Sequence, residues 1–279
     1  MKVKFLDCTL RDGGYYTNWK FSHELINDYL YSMKEAKLDW IEFGFRFPKA
    51  LEEKESCAST TDAFIKSFSY SKELNIGVMI NAADFTADEK IGEEILKKLF
   101  TKSRFSPVKL VRVACHYDEV EKSDFIFKFL LENGYKVGIN LMQISEKSES
   151  ELRKFSKFVS KYPFEVIYFA DSLGSLTPKD IKRIVGCLKT YWKGDIGFHA
   201  HDNMGNALAN CLKAMDEGVN WIDSTVLGMG RGPGNVETES LLMNSQDEVS
   251  KKMNLVPLLN TIDIHFKKLL SKHQWGKNP

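Results

Sequence analysis

A chain of 279 residues with 43% hydrophobic content is long enough to bury one large core or two modest ones. Its 39 basic and 38 acidic side chains leave a formal net charge of +1, which excludes a global field for nucleic acid or an acidic membrane. Five scattered cysteines fit neither a disulfide framework nor a CxxC metal cluster, the N-terminal MKVKFLD has no apolar leader, and no stretch has the length of a membrane span. The expectation is therefore a soluble protein of the reducing cytoplasm, with no nucleic-acid or membrane partner.

In chain order, short β-branched or aromatic runs alternate with amphipathic stretches. The predicted strands are VKFLDC (3–8), DWIEFGF (39–45), NIGVMIN (75–81), KLVRVAC (109–115), KVGINLM (136–142), EVIYFAD (165–171), DIGFHAH (195–201) and NWIDSTV (220–226). Helix starts stand between them. Ser22 precedes Leu25, Ile26, Tyr29, Leu30 and Met33, and Ser148 with Glu151 forms a capping box. Thr177-Pro178 supplies a cap and a first-turn proline, and Asn206 opens a helix stopped at Gly218. Lys251-Lys252 and Lys267-Lys268 read as solvated helix faces, and QWGKNP as a frayed tail.

This alternation predicts an α/β fold of parallel βαβ units closing into a (β/α)8 TIM barrel over residues 1–240. Residues 241–279 are expected to form a helical extension packed on or beside it. A doubly wound open sheet is the alternative, but TLRDGG stands where its Gly-rich phosphate turn should follow the first strand.

Strand periodicity then assigns faces. His199 and His201 are two residues apart and point the same way, together with Gly197, while Ile196, Phe198 and Ala200 take the helix-facing side. Two imidazoles near a strand's C-terminal end, facing into a barrel, suggest a metal more than a satisfied core. Other strands add polar groups on inward phases: Glu42 and Arg46 on strand two, Arg112 and His116 on strand four, Asn140 on five, Asp171 on six, Asp223 and Thr225 on eight. A ring of desolvated charge costs several kcal/mol unless ligands or partners compensate it. Asp12, just past strand one and beside Arg11, is the expected third ligand. The Gly-rich GMGRGPGN (228–235) brings Arg231 as an anion anchor and Asn235 as a further oxygen donor.

LDCTLRDGG, VRVACHYDE, ADSLG and HAHDNMGNALANCLKAMDEGVNWIDSTVLGMGRGPGN together resemble the DRE-TIM-type metallolyases, which include the HMG-CoA lyases. RVACH and HAHDN look most like the 4-hydroxy-2-oxovalerate type aldolases. The resemblance implies a carbon–carbon lyase acting on a 4-hydroxy-2-oxo acid or similar 2-oxo acid. It further implies Mn²⁺, Mg²⁺ or Zn²⁺ on Asp12, His199 and His201, completed by Asn235, with Arg11 stabilising a pyruvate enolate. Barrels of this kind often form homodimers. The chain departs from the pattern after RDG. Gly14, Tyr15 and Tyr16 stand where aldolases place a catalytic histidine and the acyl-CoA synthases an acidic residue, and the strand-eight loop lacks the lyase cysteine. Tyr15, Tyr16 and His116 are the acid/base candidates, with His23 a more distant one. A Claisen-type synthase and a non-catalytic metal- and acid-binding relative are the alternative functions.

Overall fold

In the computed structural model, which describes residues 2–276 except 51, 54 and 246–252, the strand runs close a parallel barrel in the order β1 to β8. The strands are Lys4–Asp7 (β1), Trp40–Phe45 (β2), Ile76–Asn81 (β3), Val108–Cys115 (β4), Lys136–Leu141 (β5), Val166–Asp171 (β6), Asp195–Ala200 (β7) and Trp221–Ser224 (β8). Each end falls within two residues of the sequence expectation. The barrel closes where β1 pairs with β8, Lys4 opposite Trp221 and Asp7 opposite Ser224.

Two short helices, Thr9–Asp12 (α1) and Gly14–Thr17 (α2), follow β1, and α3 (His23–Glu35) carries the chain back. The outer layer continues with α4 (Asp62–Lys66), α5 (Glu89–Leu99), α6 (Asp124–Glu132), α7 (Glu149–Val159), α8 (Pro178–Leu188) and α9 (Ala207–Asp216). The predicted caps form at three of these helices. Ser22 accepts from the Leu25 N–H at 3.1 Å, and the boxes at Ser148/Glu151 and Thr177/Asp180 are reciprocal. At α9 the cap differs: the Asn206 side chain makes no cap bond, and Asp202 accepts from the Ala207 N–H at 2.8 Å instead.

After β8 come α10 (Thr238–Asn244), α11 (Val256–Thr261), a π-helical turn (Ile262–Phe266) and α12 (Lys267–His273). α11 lies along α3, tied by the Ser32 and Thr261 hydroxyls at 2.7 Å. Lys251-Lys252 fall outside the described residues. Gln274–Gly276 is not frayed, because the indole of Trp275 is buried and donates to the Leu227 carbonyl at 2.9 Å.

Alternation along each strand builds two compartments. Phe5, Ile41, Val111, Ile167, Ile196, Phe198 and Ile222 pack between strands and helices. The opposite phase fills the barrel, with Leu6, Trp40, Leu110, Val166, Tyr168 and Trp221 as its floor. Two residues on from three floor positions, on the same face, stand Glu42, Arg112 and Asp223, all essentially unexposed. The charged layer thus sits directly above the apolar one, towards the C-terminal ends of the strands where sites are built in this fold.

One strand breaks the period. The β2–β3 register shifts between Glu42 and Phe45, with Gly44 in the bulge at φ 157°. A Cβ at Gly44 would lie 2.1 Å from the Cys57 carbonyl oxygen, so only glycine fits there. Beyond the bulge Phe45 turns into the mouth and Arg46 turns outward. This overturns the expectation that Arg46 shares the inward face of Glu42.

Candidate metal centre and active-site mouth

The first short helix after β1 starts the site. It presents Arg11 and Asp12, both buried, to the C-terminal mouth. Arg11 is held by two of its three nitrogens: Nε donates to Glu42 Oε2 at 2.7 Å and Nη1 to Asp12 Oδ1 at 2.8 Å. Its third nitrogen, Nη2, is buried with no partner. Glu42 also accepts from Arg112 Nε and Nη2, both at 2.7 Å, and Arg112 Nη1 donates to Asp223 Oδ2 at 2.6 Å. Asp223 Oδ2 in turn lies 2.9 Å from His199 Nδ1. A single buried chain of charge therefore runs Asp12–Arg11–Glu42–Arg112–Asp223–His199 beneath the mouth.

This chain orients the histidines. Nδ1 of His199 faces the Asp223 carboxylate, and Nδ1 of His201 faces the Gly234 carbonyl at 3.1 Å. Both partners are acceptors, so each Nδ1 carries the proton and each Nε2 presents a lone pair, the one on His199 accepting from Asn235 Nδ2 at 3.1 Å. The two Nε2 atoms lie 3.4 and 4.0 Å from Asp12 Oδ2, and the donor atoms of the three residues fall within 4.8 Å of one another. Asp12 Oδ2 and Asn235 Oδ1 are both buried without a hydrogen-bond partner. An isolated antiparallel bridge between His201 and Asn235 brings that amide to the cluster. Gly230 closes the arrangement, since a Cβ there would come within 1.6 Å of Asn235 Oδ1 and 3.0 Å of Asp12 Oδ2.

The electrostatics follow from burial and partners. Burial alone would raise the Asp12 carboxyl, but Arg11 and the two histidines outweigh it and hold the group well below the usual carboxylate range. Burial pushes His201 down to about 4, which keeps its ring neutral at physiological pH. Burial also acts on His199, but the Asp12 and Asp223 carboxylates beside it prevail and raise it. An unpartnered buried acceptor costs about 1–3 kcal/mol. Two such oxygens, two imidazole Nε2 atoms and a spare guanidinium N–H around one centre form a set that a divalent cation and a small anion would satisfy.

Two other clusters have a cation's spacing but not its chemistry. Cys8, His199 and Asp223 lie close together, yet burial raises the Cys8 thiol well above its ordinary value, and it faces the Ser224 carbonyl at 3.5 Å. Glu24, Asp28 and His265 meet on the outer face of α3, where Asp28 and His265 pair at 2.9 Å.

The mouth is a narrow cavity of about 50 Å³ lined by Arg11, Asp12, Tyr15, Asn140, His199, His201 and Arg231, with Phe45, Met79, Asn81, Met142 and Ser172 completing the wall. A much larger groove of about 640 Å³ runs outside the barrel along α7, and none of the converging polar atoms reaches it. The chemistry belongs to the small cavity, because that is where the unsatisfied donors and acceptors point.

Several expected lining residues lie elsewhere. Arg46 binds outward, to the Leu99 carbonyl at 2.8 Å and to Asp62, with Phe100 beneath its guanidinium. Glu42 and Arg112 sit one layer below the cavity, spent on each other and on Arg11 and Asp223. Asp171 accepts the Ser175 and Leu176 N–H groups at 3.0 Å and so shapes the loop after β6. His116, one residue past β4, is exposed and starts a 3₁₀ turn. Tyr16 turns away from the cavity, its hydroxyl donating to the Gly232 carbonyl at 3.3 Å. His23 stacks on Phe68 at 4.3 Å, outside the barrel mouth. Sequence reasoning missed Asn81 and Ser172. The available signal was their place at the C-terminal ends of β3 and β6, where polar residues face the mouth.

The Arg112 layer makes a stability prediction. Arg112→Met leaves Glu42 and Asp223 buried without that guanidinium, so unfolding free energy should fall by ~3–5 kcal/mol in a urea titration. A loss below 1 kcal/mol would show that the two carboxylates are satisfied without Arg112.

The HMGL-like family model matches residues 2–264. This chain belongs to the HMGL-like family. Among curated members it is 29% identical over 244 residues to the 4-hydroxy-2-oxovalerate aldolase of Carboxydothermus hydrogenoformans, covering 86% of this chain and 70% of that one. It is likewise 29% identical to the enzyme of that name from Geobacillus genomosp. 3, over 86% of this chain and 69% of that one. The crystal structure of the N-terminal domain of a candidate aldolase from Bacteroides vulgatus superposes with a TM-score of 0.84 at 31% identity, covering 99% and 90% of the two chains. The Bacillus subtilis HMG-CoA lyase shares the fold at 15% identity and a TM-score of 0.74, over 100% and 96%. The HMGL-like barrel is thus common ground.

Proposed function

We propose that this protein is a divalent-metal-dependent carbon–carbon lyase that cleaves a 4-hydroxy-2-oxo acid into pyruvate and an aldehyde. The observation that carries the reading is the convergence of the unpartnered Asp12 Oδ2 and Arg11 Nη2 with the Nε2 atoms of His199 and His201 in one buried mouth. Asp12, His199 and His201 would hold the cation, with the Asn235 amide oxygen as a further donor. Bound there, Mn²⁺, Mg²⁺ or Zn²⁺ would supply positive charge to stabilise the negative charge that develops on the substrate.

The chain's own residues do the rest. Breaking the C3–C4 bond releases the 4-hydroxyl proton to solvent and leaves the electron pair on a pyruvate enolate, whose carbon then takes up one proton, so the protons balance. Arg11 Nη2 is the donor aimed at that developing oxyanion, and its other two nitrogens are already fixed, so little reorganisation is needed. Tyr15 lines the cavity, and burial raises its hydroxyl pKa, so it stays protonated and suits delivery of a proton to the enolate carbon. Arg231, 5.9 Å above the Tyr15 ring, and Asn140 suit the substrate carboxylate. A cavity of about 50 Å³ favours a small acid over an acyl-CoA.

We further assign the barrel, residues 1–240, as the catalytic domain with a helical extension behind it. Its five cysteines, free and buried, suit the reducing cytoplasm, and no described helix is long and apolar enough to cross a membrane. A homodimer is the expected assembly.

The test is pyruvate release by purified protein stripped and reloaded with each metal, across a panel of 4-hydroxy-2-oxo acids, with acetyl-CoA plus 2-oxo acids as a second arm. Pyruvate formed only in reloaded protein supports the aldolase. CoA release in the second arm with no pyruvate in the first transfers the site to a synthase. Metal uptake with neither product leaves a binding protein.

A further inference from the structure

The loop that brings Asn235 to the site begins with a turn that its own sequence does not favour. Leu227 adopts φ 50°, ψ 28°, in the left-handed region that a non-glycine residue rarely occupies. Two distant groups hold it there. The Glu239 carboxylate accepts the Leu227 N–H at 3.2 and 3.3 Å, and the Trp275 indole N–H donates to the Leu227 carbonyl at 2.9 Å. Trp275 is only 7% exposed. It is delivered by a sharp reversal at Gln274, φ 52°, whose N–H caps α12 on the Leu270 carbonyl.

The next residues connect that turn to the site. Gly228, also at positive φ, accepts the Asn235 N–H on its carbonyl at 3.1 Å. The Asn235 amide lies 3.1 Å from His199 Nε2. Two covalently linked residues and one hydrogen bond therefore separate the Trp275 contact from Asn235. The same segment also reaches the Asp12 side. The Tyr16 ring lies 5.9 Å from Trp275 and 6.1 Å from His273, and its hydroxyl bonds the Gly232 carbonyl of the same loop.

We propose that the C-terminal segment His273–Trp275 is a clasp that positions the Leu227–Asn235 loop, and through it Asn235, against the Asp12–His199–His201 cluster. Trp275, Tyr16 and Glu239 are positioning residues: none reaches the mouth, and each fixes a backbone group or ring of the two segments that bring in Asn235 and Asp12. The clasp explains why a tryptophan far along the chain from β8 is buried against the strand-eight loop. It rests on the reading of Asp12, His199 and His201 as metal ligands, and it predicts that metal affinity at the mouth depends on a side chain outside it.

The experiment compares wild type with Trp275→Phe, which keeps the ring but lacks the N–H, and with Trp275→Ala. Amide hydrogen exchange of residues 227–235 is read in metal-free protein, and Mn²⁺ affinity from the free-ion paramagnetic resonance signal. Trp275→Phe should speed exchange at the loop about fivefold, the factor for one lost hydrogen bond. It should also weaken Mn²⁺ binding about tenfold, the lower end for groups that orient ligands. The circular dichroism melt should stay close to wild type. Trp275→Ala should give larger changes in the same direction. Unchanged loop exchange overturns the clasp, and so does faster exchange at unchanged Mn²⁺ affinity. If wild type itself takes up no Mn²⁺, the metal reading falls on its own, and loop exchange alone then decides whether the clasp holds.

Discussion

Asp12→Asn is expected to lose stoichiometric divalent-metal binding, and metal-dependent turnover with it, while the barrel remains folded. The substitution is nearly isosteric, and Asp12 Oδ1 is engaged only by Arg11, which keeps Glu42 as its second partner. What disappears is the charge on Oδ2, the buried oxygen with no hydrogen-bond donor that sits between the two Nε2 atoms. Loss of a group that merely orients a ligand costs about 10–100-fold in metal affinity, so loss of the anionic ligand itself should exceed ~100-fold. Calorimetric titration with Mn²⁺ measures it directly. Were Asp12 only the ion-pair partner of Arg11, binding would survive at near wild-type strength. Retained affinity would therefore return the mouth to a structural salt-bridge cluster.

Arg11→Lys should leave metal affinity within about tenfold of wild type but lower kcat by ~10²–10³-fold, the usual cost of removing one donor aimed at a developing oxyanion. Lysine keeps the charge but not the fork. In the native residue Nε and Nη1 are committed to Glu42 and Asp12, which leaves Nη2 for the reacting oxygen. A lysine ammonium drawn to those two carboxylates has no rigid third donor to offer. Steady-state kinetics with pyruvate detection separates the outcomes. A rise in KM at constant kcat would mean that Arg11 grips the substrate equally in ground and transition states, and the enolate role would then be wrong.

Barrel closure was readable because its signals are local. β-branched runs at strand length, serine and threonine caps, and Pro178 at a first turn each depend on neighbours a few residues away, and all eight strands lie within two residues of their expected ends. The inward direction of His199 and His201 was readable for the same reason, since a strand period of two needs no knowledge of the rest of the chain. Arg46 shows where the period fails. Its assignment required β2 to stay regular, and the bulge at Gly44 turned it towards the helical layer and brought Phe45 into the mouth. His116 was misplaced because it lies one residue past β4, where a turn sets direction and alternation no longer applies. Tyr16 was misplaced because the short helix α2 carries its ring towards Gly232 and Trp275 and away from the cavity.

Depth within the barrel was a separate matter. Glu42, Arg112 and Asp171 do face inward or towards the rim, but inward phase does not distinguish a side chain that reaches the cavity from one that stops a layer below it. That depends on strand stagger and on which opposite charge arrives at the same height from another strand. Arg112 met Glu42 from β2 and Asp223 from β8 and was consumed by them.

The amino-acid sequence by itself thus determined the strands, the helix starts and the two histidines of one face, because hydrophobic period and capping act over a few residues. Only the tertiary structure decided that Asp12 stands 3.4 Å from one histidine and 4.0 Å from the other, that Arg11 keeps one nitrogen free, and that Trp275 reaches Leu227. Those contacts join residues up to about two hundred positions apart, and nothing local to either partner encodes the closure of the barrel that brings them together.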